Sequence, residues 1–77
     1  MKELDVLYET IKERKAHGEE GSYTSYLFNK GTEKILKKVG EECSEVIIAT
    51  LAQQKEDKIN ELSDLLYHLL VLMVDQD

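Results

Sequence analysis

The sequence is poor in the residues that interrupt or cross-link a chain: it has no proline, four glycines and a single cysteine. Without proline and with little glycine, few positions disfavour helix. One cysteine excludes an internal disulfide, so we expect this chain of 77 residues to supplement its small core with a metal ion or a second copy of itself. Cys43 lies among apolar neighbours at helical spacing. We expect it to be a buried thiol, which suits a reducing cytoplasm.

The sequence also lacks a long apolar segment and an excess of positive charge. Its most apolar run, residues 65–74, is well short of the roughly 20 residues that span a bilayer. The N-terminal stretch is mixed in charge and has no apolar secretory segment. The net charge of −6 repels nucleic-acid backbones and anionic membranes. We therefore predict a cytoplasmic protein whose partners include neither nucleic acid nor a membrane, and which needs cations to bind any polyphosphate.

Apolar residues recur every three or four positions along almost the whole chain, which predicts a single all-α domain over residues 1–77. Capping residues and turn signals give approximate boundaries. We expect helices over 2–16, within 23–31 as a short segment closed by Gly31, over 32–54 with Thr32 as N-cap, and over 58–74 after a turn at "QKED".

The second half of the last helix is apolar around nearly its whole circumference. Three apolar residues, Leu65, Val71 and Leu72, fall outside its main apolar stripe, so such a helix must be buried on all sides. Two other short helices cannot surround it. We therefore predict an antiparallel helical bundle completed by homodimerisation. The main stripe consists of Ile59, Leu62, Leu66, Leu69, Leu70 and Met73.

Acidic residues follow a spaced pattern, E-E-x-x-E at 41–45 and E-x-x-D at 61–64. An antiparallel hairpin that turns near Lys55 brings Glu45 and Glu61 to heights within about one helical turn of each other. Each acidic set could be a solvated helix face. However, both sets border apolar stripes, where a carboxylate is costly unless it is protonated or bound to a cation. Oxygen ligands suit Mg²⁺ or Mn²⁺, so the pattern predicts a divalent metal site.

Basic residues and a histidine near these carboxylates each allow two interpretations. Lys34 and Lys38 fall in the same helix sector as the first acidic set. Lys38 either forms an ordinary i,i+4 pair with Glu42 or contacts a phosphate beside the metal. His68 is either a core residue or a catalytic one. Because no second histidine is near and thiolates are lacking, the pattern does not favour a di-iron or a zinc site.

The carboxylate pattern on adjacent helices resembles that of the all-α nucleoside triphosphate pyrophosphatases, which include the MazG-like enzymes and the dimeric dUTPases. The chain is more closely similar to the phosphoribosyl-ATP pyrophosphatases of histidine biosynthesis, from about Leu4 to Met73. This resemblance implies Mg²⁺-dependent hydrolysis of 1-(5-phosphoribosyl)-ATP to 1-(5-phosphoribosyl)-AMP and pyrophosphate. The segments that carry it are "SYTSYLF" (22–28), "KILKKVGEECSEVIIAT" (34–50) and "DLLYHLLVLM" (64–73).

The resemblance also implies roles for single residues, because motif positions can be matched one by one. Glu41, beside the ligands, matches an acidic position that could either support the ligands or serve as a base. We expect these sets: metal ligands Glu42, Glu45, Glu61 and Asp64; catalytic residues Glu41, Glu45 and Lys38; substrate-binding residues Arg14, Ser22, Tyr23, Thr24, Lys34, Lys38 and His68.

Two alternatives remain open at the level of sequence. One is a housecleaning pyrophosphatase that acts on free nucleotides such as dCTP, against which the Ser-Tyr-Thr loop argues. The other is a non-catalytic helical interaction module, which would not bind magnesium. Members of the resembled family usually continue through a further helical segment, whereas this sequence stops at "VDQD". Any substrate or dimer contact made by that segment therefore stays open, but the carboxylate pattern does not depend on it.

Overall fold

The computed structural model describes all 77 residues as four helices without a strand, which confirms the all-α prediction. None of them has both the length and the apolar composition that crossing a bilayer requires. The most extensive packing is between α3 and α4, and α2 packs on α1 and α3 while α1 also packs on α4. The helices are α1 (Lys2–Ala16), α2 (Tyr23–Lys30), α3 (Thr32–Ala52) and α4 (Lys55–Gln76).

The junction between α2 and α3 is organised by hydroxyl groups and a glycine. Ser22 caps α2, since its Oγ accepts a hydrogen bond from the Ser25 backbone N–H at 3.2 Å. Gly31, with φ of 94°, ends α2 and is also the N-cap of α3. The prediction that Thr32 is this N-cap is therefore wrong. Thr32 is the first helical residue, and its hydroxyl group donates to Asp75 Oδ2 at 2.7 Å instead.

The turn between α3 and α4 is tighter than the sequence predicts. The expected turn at "QKED" and the expected helix start at Lys58 are wrong, because α3 ends at Ala52 and α4 begins at Lys55. Gln53 reverses the chain in the left-handed conformation, with φ of 58° and ψ of 35°. Three of the residues expected in the turn, 55–57, form the first turn of α4, where Glu56 and Asp57 interact favourably with the helix dipole.

The buried core lies where the C-terminal half of α4 meets the other three helices. Residues from all four helices contribute to it, so this end of the bundle is closed within one chain. The core residues are Ile11, Leu27, Ile35, Leu70, Val71 and Val74.

The side of α4 that is buried within the chain is not its main apolar stripe. Val71, expected outside the main apolar stripe, is completely buried, whereas most of that stripe is exposed. A helix that is apolar all round does not reveal which side its own chain will cover. The exposed members are Ile59, Leu62, Leu66, Leu69 and Met73, at 37% to 56% exposure.

α3 presents only a narrow seam to the rest of the chain. Its buried residues, Ile35, Glu42 and Ala49, are seven positions apart and so share one side of the helix. Cys43 lies about 100° around the helix from Glu42 and is exposed. The prediction that Cys43 is buried is therefore wrong for the single chain.

Candidate metal centre

Three of the predicted ligands come together between α3 and α4. One carboxylate oxygen from each of Glu42, Glu45 and Glu61 lies within 4.8 Å of the other two, and we call these residues the carboxylate cluster. Glu45 and Glu61 are equally far from Gln53 along the chain, on opposite sides of the turn, so they reach the same height in the hairpin. Glu42 reaches the cluster from the buried seam of α3 and is 7% exposed.

The carboxylate cluster contains oxygen atoms that nothing in the chain satisfies. Glu42 Oε2 and Glu61 Oε2 are buried and accept no hydrogen bond. A buried polar atom without a partner is unfavourable, and a carboxylate oxygen more so than a neutral one. A divalent cation would satisfy both atoms, and a donor set made only of oxygen suits Mg²⁺ or Mn²⁺. The residues present therefore fit the kind of metal that the sequence predicts.

Burial and mutual repulsion perturb the ionisation of the carboxylate cluster. Burial, followed by contact with Glu45, raises the pKa of Glu42 to about 7. The hydrogen bond between Glu45 and Glu61 raises the pKa of Glu61 and lowers the pKa of Glu45. The cluster thus retains a proton near neutral pH, because adjacent carboxylates cannot all be ionised without cost. A bound cation would neutralise the carboxylate charges and so displace that proton.

Asp64, the fourth predicted ligand, lies beside the cluster but outside the group of three. It is exposed, and it is as far from Gln53 along α4 as Glu42 is along α3. Its charge contributes to the raised pKa of Glu42 and of Glu61. Asp64 is therefore an electrostatic neighbour of the carboxylate cluster.

Lys38 extends the site toward the closed end of the bundle. Its Nζ lies 3.2 Å from Glu41 Oε1 and 4.0 Å from Glu42 Oε1, so the ion pair expected from the sequence is present. Glu41 is exposed and does not belong to the cluster. Hydrogen bonding to Glu41 raises the pKa of Lys38, which keeps a positive charge beside the carboxylates.

The other two predicted basic residues have no contact with the carboxylate cluster. Arg14 Nη2 forms an ion pair with Glu19 Oε2 at 3.1 Å, which links the end of α1 to the following loop. Lys34 lies one helical turn before Lys38 and forms no ion pair. Neither residue is placed at the cluster by the single chain.

The segment Ser22-Tyr23-Thr24, predicted from the sequence to bind substrate, makes hydrogen bonds within the chain. Besides the cap formed by Ser22, the Tyr23 hydroxyl group is hydrogen-bonded to His68 Nε2 at 2.8 Å. Thr24 Oγ1 is hydrogen-bonded to the hydroxyl group of Tyr67. These two contacts join α2 to α4 at adjacent positions. His68 itself is 5% exposed, and its Nδ1 is 2.7 Å from the Asp64 carbonyl oxygen.

Two polar residues of this region were missed from the sequence. Ser25 is 6% exposed, and its Oγ accepts a hydrogen bond from the Glu19 backbone N–H at 2.9 Å. Tyr67 supplies the partner of Thr24. A tyrosine beside a histidine in an apolar run was the available signal for Tyr67. For Ser25, a second serine within "SYTSYLF" gave no comparable indication.

Two open cavities are lined by residues of this region. The larger, about 630 Å³, lies between the loop that precedes α2 and α2 itself, and we call it the loop cavity. Tyr23 and Tyr26 stack on its wall with ring centroids 6.0 Å apart. The smaller, about 260 Å³, is lined by Glu45, Ala49 and Glu61 and so adjoins the carboxylate cluster directly. Space for a ligand is therefore available beside the carboxylate cluster and, separately, beside Tyr23.

Comparison with known proteins identifies a family for the whole folded unit. The family model for phosphoribosyl-ATP pyrophosphohydrolase matches residues 4–77. The chain is 57% identical over 72 residues to the phosphoribosyl-ATP pyrophosphatase of Bacillus cereus (strain Q1), covering 94% of this chain and 67% of that protein. It is 60% identical over 70 residues to the phosphoribosyl-ATP pyrophosphatase of Clostridium acetobutylicum, covering 91% of this chain and 64% of that protein.

A longer relative contains the same unit. The chain is 57% identical over 74 residues to the histidine biosynthesis bifunctional protein HisIE of Caldanaerobacter subterraneus subsp. tengcongensis, covering 96% of this chain and 36% of that protein. The chain thus spans about a third of this bifunctional relative, and about two thirds of the two other relatives. These matches confirm the resemblance predicted from the sequence, and the chain belongs to the phosphoribosyl-ATP pyrophosphohydrolase family.

Proposed function

We propose that this chain hydrolyses phosphoribosyl-ATP to phosphoribosyl-AMP and pyrophosphate in histidine biosynthesis, with Mg²⁺ or Mn²⁺ held at the carboxylate cluster. The observation that carries the proposal is the pair of buried, unpartnered oxygens of Glu42 and Glu61 where three carboxylates meet. A solvated acidic face would not bury such atoms. Family membership supports the choice of substrate over free nucleotides.

In this proposal Glu42, Glu45 and Glu61 hold the cation, and Asp64 is the fourth ligand. A bound divalent cation supplies positive charge for the phosphate oxygens and makes a water molecule more acidic. The net charge of −6 makes such a cation necessary, since the chain alone repels a polyphosphate.

Three side chains of the site act on substrate or water. Lys38, whose charge is maintained by Glu41, donates a hydrogen bond to a phosphate oxygen and stabilises the charge that develops there. The pKa of Glu45 is lowered, so its exposed carboxylate stays ionised; one oxygen can hold the cation while the other accepts a hydrogen bond from, and orients, a water molecule. Glu41 holds the Lys38 ammonium group in place.

We assign the remainder of the nucleotide to the loop cavity. Its volume of about 630 Å³ falls within the roughly 300–1,000 Å³ of small-molecule sites. Ser22 and Tyr23 line it, and Arg14 is tied to the same loop through Glu19. Thr24 and Lys34 remain predicted substrate-binding residues.

We also propose that the chain acts as a homodimer. Large apolar side chains are exposed on α3 near the turn and along most of α4, and a single chain offers nothing to cover them. Extended apolar patches of this kind mark protein interfaces. A second copy is the simplest occupant, since two such faces would complete a four-helix arrangement. This hairpin face consists of Ile47, Ile48, Leu51, Ile59, Leu62, Leu66, Leu69 and Met73.

A pyrophosphate-release assay tests the activity directly. Phosphoribosyl-ATP is compared with ATP and dCTP, with Mg²⁺ and with EDTA. We expect release from phosphoribosyl-ATP that requires the cation and greatly exceeds release from the other two. Equal release from free triphosphates would instead support a housecleaning pyrophosphatase. Lack of both release and cation binding would support an interaction module. The predicted cytoplasmic location stays a prediction.

A further inference from the structure

His68 is held on both sides of its ring by groups of the same chain. Its Nδ1 lies 2.7 Å from the carbonyl oxygen of Asp64, and its Nε2 lies 2.8 Å from the hydroxyl oxygen of Tyr23. The side chain is 5% exposed, and the rings of Tyr23 and Tyr67 pack edge-on against it. Both ring nitrogens are therefore occupied, and little of the side chain is available to a ligand.

The hydrogen atoms of this network can be assigned from the chemistry of the partners. A carbonyl oxygen only accepts hydrogen bonds, so Nδ1 of His68 carries a hydrogen and donates it to Asp64. In the neutral ring the other nitrogen then has a lone pair, and the Tyr23 hydroxyl group must donate to Nε2. The Tyr23 hydrogen is thus committed to His68. The Tyr23 oxygen can still accept hydrogen bonds, but it has no hydrogen left to offer a phosphate.

The Tyr23 hydroxyl group is bound to His68 at the level of the bundle where Lys38 lies on the facing helix. Lys38 and His68 are equally far from Gln53 along α3 and α4, so they lie at the same height on facing helices. Burial raises the pKa of Tyr23, and the positive charge of Lys38 acts in the opposite direction on that pKa. A hydroxyl oxygen that can only accept is a favourable neighbour for an ammonium group, which has only hydrogens to donate.

We infer that His68 is a positioning residue: it fixes the Tyr23 hydroxyl group as a donor to Nε2, so that the Tyr23 oxygen is available only as an acceptor for Lys38 and helps to orient it toward phosphate. His68 thus acts through Tyr23. It does not touch the substrate, in contrast to the substrate-binding role expected from the sequence. The contact with phosphate rests on the proposed function, whereas the arrangement of hydrogens does not.

The arrangement of hydrogens is tested by ¹⁵N NMR of the histidine rings in the unmodified, metal-free chain. His17 is the only other histidine, so His17→Gln assigns the signals. We expect His68 with a protonated Nδ1 and an unprotonated Nε2. A ring protonated at Nε2, alone or together with Nδ1, overturns the inference because Tyr23 would then be an acceptor from His68.

The connection to Lys38 is tested by combining substitutions. We expect Tyr23→Phe and His68→Leu each to lower kcat/KM about tenfold, the scale of coupling between neighbouring groups. His68→Gln, whose side-chain oxygen can accept from Tyr23, should recover most of that loss. In a Lys38→Met background, Tyr23→Phe should have little further effect. Tyr8→Phe, which removes a hydroxyl group from α1, is the matched control and should retain full activity.

Pyrophosphate binding in Mg²⁺, measured by calorimetry, repeats this comparison without turnover. Tyr23→Phe should weaken binding severalfold when Lys38 is present and hardly at all when it is Met. An equal loss in both backgrounds overturns the inference, since Tyr23 would then act independently of Lys38. If the unmodified chain binds pyrophosphate but releases none from phosphoribosyl-ATP, the proposed function fails while the role of Tyr23 stands.

Discussion

The α3–α4 hairpin is closed at one end and open at the other. Where α1 and α2 pack against it, Leu27, Ile35 and Val71 are completely buried. Near the turn, Ile48 and Leu51 are 66% and 78% exposed, although the same two helices continue there. The difference arises because α1 and α2 cover only the closed end, and the hairpin face is left for another occupant.

The carboxylate cluster lies between these two ends, and this position accounts for its properties. Glu42 belongs to the same buried seam as Ile35, yet Glu45, one turn nearer the open end, is exposed. A fully exposed cluster would be satisfied by water, and a fully buried one would be protonated and unreachable. Partial burial leaves buried, unpartnered oxygens next to the exposed carboxylate of Glu45, which is the condition that favours cation binding.

The largest expected effect comes from removing one charge of the cluster. Glu61→Gln keeps the shape of the side chain but loses the charge that a cation requires. We expect pyrophosphate release to fall by roughly 10²- to 10³-fold, the scale for losing one preorganised electrostatic partner, with unchanged helix content. Glu33→Gln, an exposed change in the first turn of α3, is the control. Near-normal activity at saturating Mg²⁺ would remove Glu61 from the site.

Lys38→Met tests whether the ion pair beside the cluster also serves the reaction. If Lys38 only pairs with Glu41 and Glu42, the unfolding free energy changes by about 0.5 kcal/mol or less and catalysis is retained. We expect instead that kcat/KM falls by about 10²-fold at saturating Mg²⁺, because a donor to the transition state is lost. Lys37→Met is the neighbouring control. Unchanged kinetics would leave Lys34 and Arg14 as phosphate contacts.

The open end is tested by placing a charge on the hairpin face. We expect the unmodified chain to sediment as a dimer at low micromolar concentration, without a folded monomer. Leu62→Glu should weaken association by about 10²-fold or more, since full burial of a leucine contributes roughly 1.5–3 kcal/mol and both copies lose it. Val6→Glu, at a comparably exposed position on α1, should leave association intact. A stable monomer of the unmodified chain would contradict the dimer.

The smallest expected effect is a change of stability with pH in the metal-free chain. The pKa of Glu42 is about 7 in the folded state, above its ordinary value near 4.5. Protonation therefore favours the folded state: this stabilisation is complete below about pH 4.5 and is lost as the pH rises through 7. The lowered pKa of Glu45 affects the stability of the fold only at more acidic pH.

Thermal unfolding in EDTA measures this effect. We expect the melting temperature to fall between pH 5 and pH 8. Glu42→Gln, which resembles the protonated side chain, should flatten that dependence and raise the melting temperature at pH 8. A melting temperature that rises with pH over this interval would show that Glu42 is not the residue that titrates.

The sequence predicts the meeting of Glu45 and Glu61 because it depends only on helical spacing and a hairpin, both local properties. The exact turn was not predictable, since a glutamine, Gln53, adopts the left-handed conformation that usually indicates glycine or asparagine. The exposed side of α4 was not predictable either, because both sides are apolar. The contact between Tyr23 and His68 joins residues 45 positions apart, and no local pattern encodes it.

The central claim, that the carboxylate cluster is a cation site, is tested most directly by Mn²⁺ binding, followed by the electron paramagnetic resonance of free Mn²⁺ at pH 8. The unmodified chain should bind Mn²⁺, and Mg²⁺ should displace the bound Mn²⁺. The Glu61→Gln variant should bind Mn²⁺ at least about tenfold more weakly, whereas the Glu33→Gln variant should bind it as the unmodified chain does. Equal affinity in the unmodified chain and in Glu61→Gln, or no binding in either, would contradict this account of the site.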